Sequence, residues 1–89
     1  MKHLNITVSG KVQGAYYRQS TLEIVNQLGL KGFVRNESNG NVYIEAEGTE
    51  KQLKKLVEWC KIGPPGANVA DIKFTEGEIK NFFVFEIKK

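Results

Sequence analysis

The chain has 89 residues, 40% of them hydrophobic and 10% aromatic, which is enough apolar matter for one compact core and too little length for a second. Thirteen Lys and Arg against ten Asp and Glu leave a net charge of +3, but the lysines are scattered among acidic neighbours, so no basic stripe marks a nucleic-acid surface. One cysteine and one histidine exclude an internal disulfide and a zinc-ligand cluster, and no apolar run approaches the roughly 18 to 20 residues that cross a bilayer. The residues from Met1 to Ile6 lack the apolar core of a secretion signal, so a soluble, cytoplasmic protein with one domain over residues 1–89 is expected.

Leu4, Ile6 and Val8 alternate with Asn5, Thr7 and Ser9, the period of a strand with one buried face, and Gly10 breaks it. From Tyr17 to Leu28 the apolar residues Leu22, Val25 and Leu28 recur at helical spacing, and Gly29 stands where a helix stops. Leu30–Asn36 and Asn41–Glu47 read as two strands joined by the turn-rich Glu37-Ser38-Asn39-Gly40. Thr49 and Gln52 have the spacing of a capping box, and Leu53, Leu56, Val57 and Cys60 form the apolar stripe of the helix that follows, which Gly63-Pro64-Pro65-Gly66 ends. Val69–Thr75 and Asn81–Lys88 read as two last strands, with Thr75–Lys80 as the turn between them. The order β-α-β-β-α-β-β predicts an α+β fold with a ferredoxin-like βαββαβ core: an antiparallel sheet, both helices on one face and an extra C-terminal strand.

That fold serves many unrelated purposes, so function must be argued from a site. The link between the first strand and the first helix is Gly10-Lys11-Val12-Gln13-Gly14-Ala15-Tyr16-Tyr17-Arg18. Its glycines free the backbone to turn N–H groups inward, and it feeds a helix N-terminus, where unpaired N–H groups and the macrodipole favour an anion. Gly-Lys-Ser/Thr is absent, so the loop is no P-loop. Arg18 lies on or beside the packing stripe of the helix and near its positive end, a costly place for a cation unless a bound anion neutralises both. Asn36 continues the row Leu30, Gly32, Val34 towards the end of its strand, so its amide needs partners; it suits an asparagine that holds a nucleophilic water beside phosphate. Taken together these features define a phosphate or carboxylate site. Each alone also has a bland reading: a turn, a surface ion pair, a hairpin cap.

The motif Gly10–Arg18 resembles the G-x-V-Q-G-V-x-[FY]-R signature of the acylphosphatase family, and Gly32-Phe33-Val34-Arg35-Asn36 with Gly40-Asn41-Val42 is similar to its second signature. Gly48, Trp59, Gly63-Pro64, Ala67, Val69 and Phe85-Glu86-Ile87 also fall at family-like places. The resemblance implies hydrolysis of acyl phosphates to carboxylate and inorganic phosphate without metal or cofactor. It implies that Arg18 and the backbone N–H groups of Gln13, Gly14, Ala15, Tyr16 and Tyr17 bind the phosphate, and that Asn36 orients the attacking water. With no evident general base near the motif, the substrate's own phosphate is left to take the proton. Small-molecule acyl phosphates and inorganic phosphate are the expected partners of a monomer. The chain departs from the usual pattern at Ala15, where valine would stiffen the turn, and at Tyr17, whose hydroxyl needs a partner if buried.

Two other readings compete. Lys31-Gly32-Phe33-Val34 echoes the start of an RNA-binding motif, but Arg35 and Asn36 follow where that motif continues towards an aromatic. A phosphate-binding regulatory domain without turnover is disfavoured by the intact Arg18 and Asn36. Cys60, Trp59 and His3 read as structural, His3 as a residue before the first strand without partners, and Glu23 and Glu37 as solvated surface carboxylates.

Overall fold

The computed structural model describes residues 1–89, with β1 (Lys2–Lys11), α1 (Tyr17–Leu28), β2 (Lys31–Asn36), β3 (Val42–Gly48), α2 (Glu50–Ile62), β4 (Asn68–Gly77) and β5 (Phe85–Lys88). The strands form one sheet in the order β4-β1-β3-β2-β5. The pairs β1–β4, β1–β3 and β2–β3 are antiparallel, as expected of a ferredoxin-like sheet. The extra strand β5 joins the β2 edge in parallel, which makes the five-stranded sheet mixed.

Strand alternation decides which face is buried. Leu4, Ile6 and Val8 of β1 stand opposite Ala46, Ile44 and Val42 of β3, and all six are buried beneath the helices. A slip of one residue would drive Asn5 and Thr7 into that core, so the register is strongly specified. The helix stripes complete the layer: α1 buries Tyr17, Thr21 and Val25, and α2 buries Leu53, Leu56, Val57 and Cys60. Each such aliphatic side chain stabilises the fold by about 1.5–3 kcal/mol through burial. The capping box of α2 forms as predicted, with the Gln52 N–H donating to Thr49 Oγ1 at 3.2 Å and the Thr49 N–H donating to Gln52 Oε1 at 2.8 Å. Tyr17 satisfies its hydroxyl by donating to the Cys60 carbonyl at 2.9 Å, which ties α1 to α2. No helix is long and apolar enough to cross a membrane.

The last connection differs from the sequence expectation. β4 and β5 occupy opposite edges of the sheet, so Thr75–Lys80 is not a hairpin turn between them; β4 runs on to Gly77, and residues 78–84 cross the face away from the helices. The N–H groups of this segment do not go to a neighbouring strand. Glu47 accepts from the Lys80 N–H and from the Phe82 N–H at 3.1 Å, and Lys80 Nζ donates to Glu45 Oε1 at 2.8 Å. The strand pattern at 81–84 is therefore overridden by tertiary hydrogen bonds to carboxylates far away in sequence.

The same crossing explains His3, which lies inside β1 and is only 1% exposed rather than preceding the strand without partners. Its Nδ1 is 2.7 Å from Glu47 Oε2, and its Nε2 is 2.9 Å from Asn5 Oδ1 and 3.1 Å from Glu45 Oε1. Phe82 covers the ring, with centroids 5.9 Å apart. Phe33 sits on this face too, 6% exposed, between Tyr43 and Phe82 and beneath Lys88 Nζ, 4.4 Å from its ring centroid.

Candidate functional site

On the helix side, the end of β1, the start of α1, the end of β2 and β5 converge on a cleft of about 430 Å³. Its walls include Gln13, Gly14, Tyr16, Tyr17, Arg18 and Asn36, six of the seven residues singled out in sequence. Ala15 belongs to the same loop but not to the cleft wall; it borders an adjoining depression that shares Val12, Gln13, Gly14 and Tyr16 with the cleft and extends to Lys11 and Gly40. Val12, Gln19 and Ile87 complete the lining.

The two loop glycines have different tasks. Gly14 adopts φ 79° within the turn itself, a conformation glycine enters without steric cost. Gly10, at φ 120°, sits at a bulge where β1 shifts register against β4, and a Cβ there would collide with the Asn68 carbonyl oxygen and the Ala70 nitrogen. It allows the close approach of β4 rather than lining the anion cradle. Tyr16 completes the turn at φ 56° and ψ 27°, a left-handed conformation that costs a non-glycine residue about 1–2 kcal/mol.

This turn leaves donors free. None of the backbone N–H groups from Gln13 to Tyr17 makes a well-formed hydrogen bond to the backbone. Helix α1 has no side-chain cap and no acidic residue in its first turn, whereas α2 has both a capping box and Glu50. The N-terminus of α1 thus keeps its positive potential and its orphan donors for an anion from outside the chain.

Arg18 is the one charged residue of the cleft wall. It stands beside the buried stripe of α1, half-buried, and makes no ion pair or side-chain hydrogen bond with the protein. The other arginine, Arg35, projects to the opposite face, with its guanidinium carbon 4.8 Å from the Tyr43 ring centroid. Asn36 pairs with Val42 across the β2–β3 ladder, so its side chain lies on the helix-facing side as the alternation predicts. Its Oδ1 is the one buried side-chain polar atom in the molecule without a hydrogen-bond partner. An unpaired buried carbonyl oxygen costs about 1–3 kcal/mol, so this acceptor is left without a partner that the chain itself could supply.

No carboxylate and no histidine lines the cleft. Glu23 is exposed, and Glu37 is drawn towards Arg35 at 3.7 Å. No group of three His, Cys, Asp or Glu stands close enough to hold a metal ion. The cleft therefore offers fixed positive charge, oriented N–H donors and the amides of Gln13, Gln19 and Asn36, and no carboxylate or imidazole that could act as a base near neutral pH.

Two contributions were not evident in sequence. The Gln13 side chain reaches across to backbone carbonyls of the β2–β3 turn, partners that carry no sequence signature. Ile87 closes one wall because β5 docks beside β2, an edge that the pattern of residues 81–88 as a last strand does not specify.

Comparison with known proteins finds likeness over nearly the whole chain. A family model described as Acylphosphatase matches residues 4–87. A protein from Acaryochloris marina named "Acylphosphatase" is 46% identical over 84 residues, covering 94% of this chain and 90% of its own. Another from Marinobacter nauticus, with the same name, is 51% identical over 72 residues, covering 81% of this chain and 78% of its own. Among solved structures, the acylphosphatase from Bacillus subtilis superposes with a TM-score of 0.97 at 36% identity, covering 100% of both chains.

Proposed function

Because the chain belongs to the acylphosphatase family and carries the family's activity, hydrolysis of acyl phosphates, we propose that Arg18 and the loop N–H groups hold the phosphoryl end while Asn36 places the water. The orphaned Asn36 Oδ1 carries this reading, because it is a buried, unpartnered acceptor on a residue that lines the cleft together with Arg18 and the loop.

The phosphoryl oxygens enter the turn from Gln13 to Tyr17, where the N–H groups and the α1 dipole meet them, and the Arg18 guanidinium neutralises their charge. A water donates one hydrogen to Asn36 Oδ1, which aims its lone pair at phosphorus. Attack forms the new P–O bond as the bond from phosphorus to the acyl oxygen breaks. The carboxylate leaves as a stable anion and needs no acid. The proton released by the water passes to a phosphoryl oxygen, in keeping with a cleft wall that has no side-chain base. The chain supplies positioning and charge stabilisation, which is most of what phosphoryl transfer asks of a protein.

All of these groups belong to one copy of the chain, so we assign the reaction to a monomer. Nucleic acid is not the partner proposed: Phe33, the residue of the RNA-motif echo, is buried beneath Phe82 and Lys88 and offers no stacking surface.

The test is phosphate release from acetyl phosphate, together with inhibition by inorganic phosphate. Arg18→Ala should lose both turnover and phosphate affinity, whereas Asn36→Ala should lose about 10²- to 10³-fold in kcat and keep its phosphate inhibition constant. Turnover that survives both substitutions would refute the assignment.

A further inference from the structure

The groups proposed to hold phosphate are polar, yet the large, mainly apolar side chains of Tyr16 and Ile87 also line the cleft. Val12 and Tyr17 also line it, but both are buried, and the Tyr17 ring turns inward to Trp59 and the Cys60 carbonyl. Tyr16 differs from them. It is 82% exposed, makes no hydrogen bond through its hydroxyl, and neighbours no other aromatic ring. It also occupies a left-handed position, φ 56°, that glycine fills at lower cost. The backbone need at this position therefore accounts for the turn but not for the large side chain placed on it.

An acyl phosphate is two ended. Once its phosphoryl group lies in the turn below, the acyl group must extend outward through the open side of the cleft, past the rim where Tyr16 stands. We infer that Tyr16 is a specificity-determining residue whose ring face receives the acyl group, favouring planar aromatic acyl phosphates over acetyl phosphate. The inference rests on the placement of phosphate in the loop. Stacked or edge-on aromatic contact at a partly open site changes selectivity by about 3- to 10-fold. Ile87 supplies apolar surface to the same cleft but no flat ring, so the discrimination falls on Tyr16.

The measurement is the ratio of kcat/KM for benzoyl phosphate to that for acetyl phosphate. Both substrates use the same cradle, so the ratio divides out any change in how the loop grips phosphate. Tyr16→Gly and Tyr16→Asn, both of which tolerate a positive φ, should each lower the ratio about 3- to 10-fold, and Tyr16→Phe should preserve it. A ratio unchanged within twofold in the Gly and Asn variants overturns the inference, as does a Phe variant that falls as far as they do. Wild-type protein that releases phosphate from neither substrate refutes the enzyme reading itself, an outcome distinct from an active enzyme with an unmoved ratio.

Discussion

The side-chain amide of Gln13 donates to the backbone carbonyl of Glu37 at 2.7 Å, one residue beyond Asn36, and its second hydrogen reaches the Asn41 carbonyl at 2.9 Å. The Glu37 N–H itself donates to that Asn41 carbonyl at 2.8 Å, so one side chain from the loop before α1 grips the turn that follows Asn36 and β2. The distance between the two halves of the site is set by this contact rather than by the sheet alone.

Gln13→Ala should therefore lower kcat roughly tenfold, because reacting groups lose their fixed geometry, while costing only about 1 kcal/mol in stability. Gln13→Glu should be worse than alanine in both respects, since a carboxylate cannot donate and would face two carbonyl oxygens. Steady-state kinetics beside urea melts separate the two effects; equal losses in both variants would show that the donated hydrogens do not matter.

Acid should destabilise the fold through the face away from the helices. Burial by itself would raise the pKa of Glu47, but the N–H of Lys80, the His3 ring and the N–H of Phe82 outweigh it and hold the carboxyl below its ordinary value of 4.5. Glu45 is held low in the same way, burial being outweighed by Lys80 and Tyr43. A folded pKa below the unfolded one means that this stabilisation is complete above about pH 4.5 and is lost as pH falls through the folded values. Urea midpoints measured from pH 6 to pH 3 should fall, and Glu47→Gln should start lower at pH 6 but decline less steeply. A Glu47→Gln slope equal to wild type would place the acid sensitivity elsewhere.

Cys60 should be silent towards thiol reagents in the native state. Its side chain is fully buried on the α2 stripe, and burial pushes its thiol up to about 12, so neither access nor thiolate is available at pH 8. Labelling by a chromogenic disulfide should track global unfolding, with its rate rising in denaturant in step with the loss of circular dichroism. Rapid labelling of native protein would contradict the packing described.

Ala15→Val should stiffen the phosphate loop, since a β-branched side chain restricts the turn more than alanine does. The side chain lies off the cleft wall, so valine adds no contact to substrate. Tighter inhibition by inorganic phosphate, about two- to threefold, is the expected result by competition assay; no change in phosphate affinity and none in turnover would remove the idea.

Local patterns carried much of this architecture. The alternation in β1, the Thr49–Gln52 box and the Tyr17–Leu28 helix were readable because each depends on neighbours within a few residues. Arg18 and Asn36 were readable for a related reason: charge at a helix start and an amide in an apolar row are local anomalies that ask for a ligand. What escaped depends on distant chain. His3 has the alternation of an outward residue, and only the crossing of residues 78–84 turns that outward face into an interior. Nothing near residue 75 reveals that the next strand will pair with β2 at the far edge, because sheet order is settled by which faces remain uncovered after the other strands have docked.

The unsatisfied donors at the start of α1 have a thermodynamic corollary. On the phosphate placement proposed above, inorganic phosphate, the end product, binds the folded chain and not the unfolded one, and should shift the folding equilibrium as it accumulates, by about 2.7 kcal/mol at a hundred times its dissociation constant. The same occupancy blocks the next turnover. Product inhibition and protection against heat are one binding isotherm seen through two assays, and a variant that escapes the first forfeits the second.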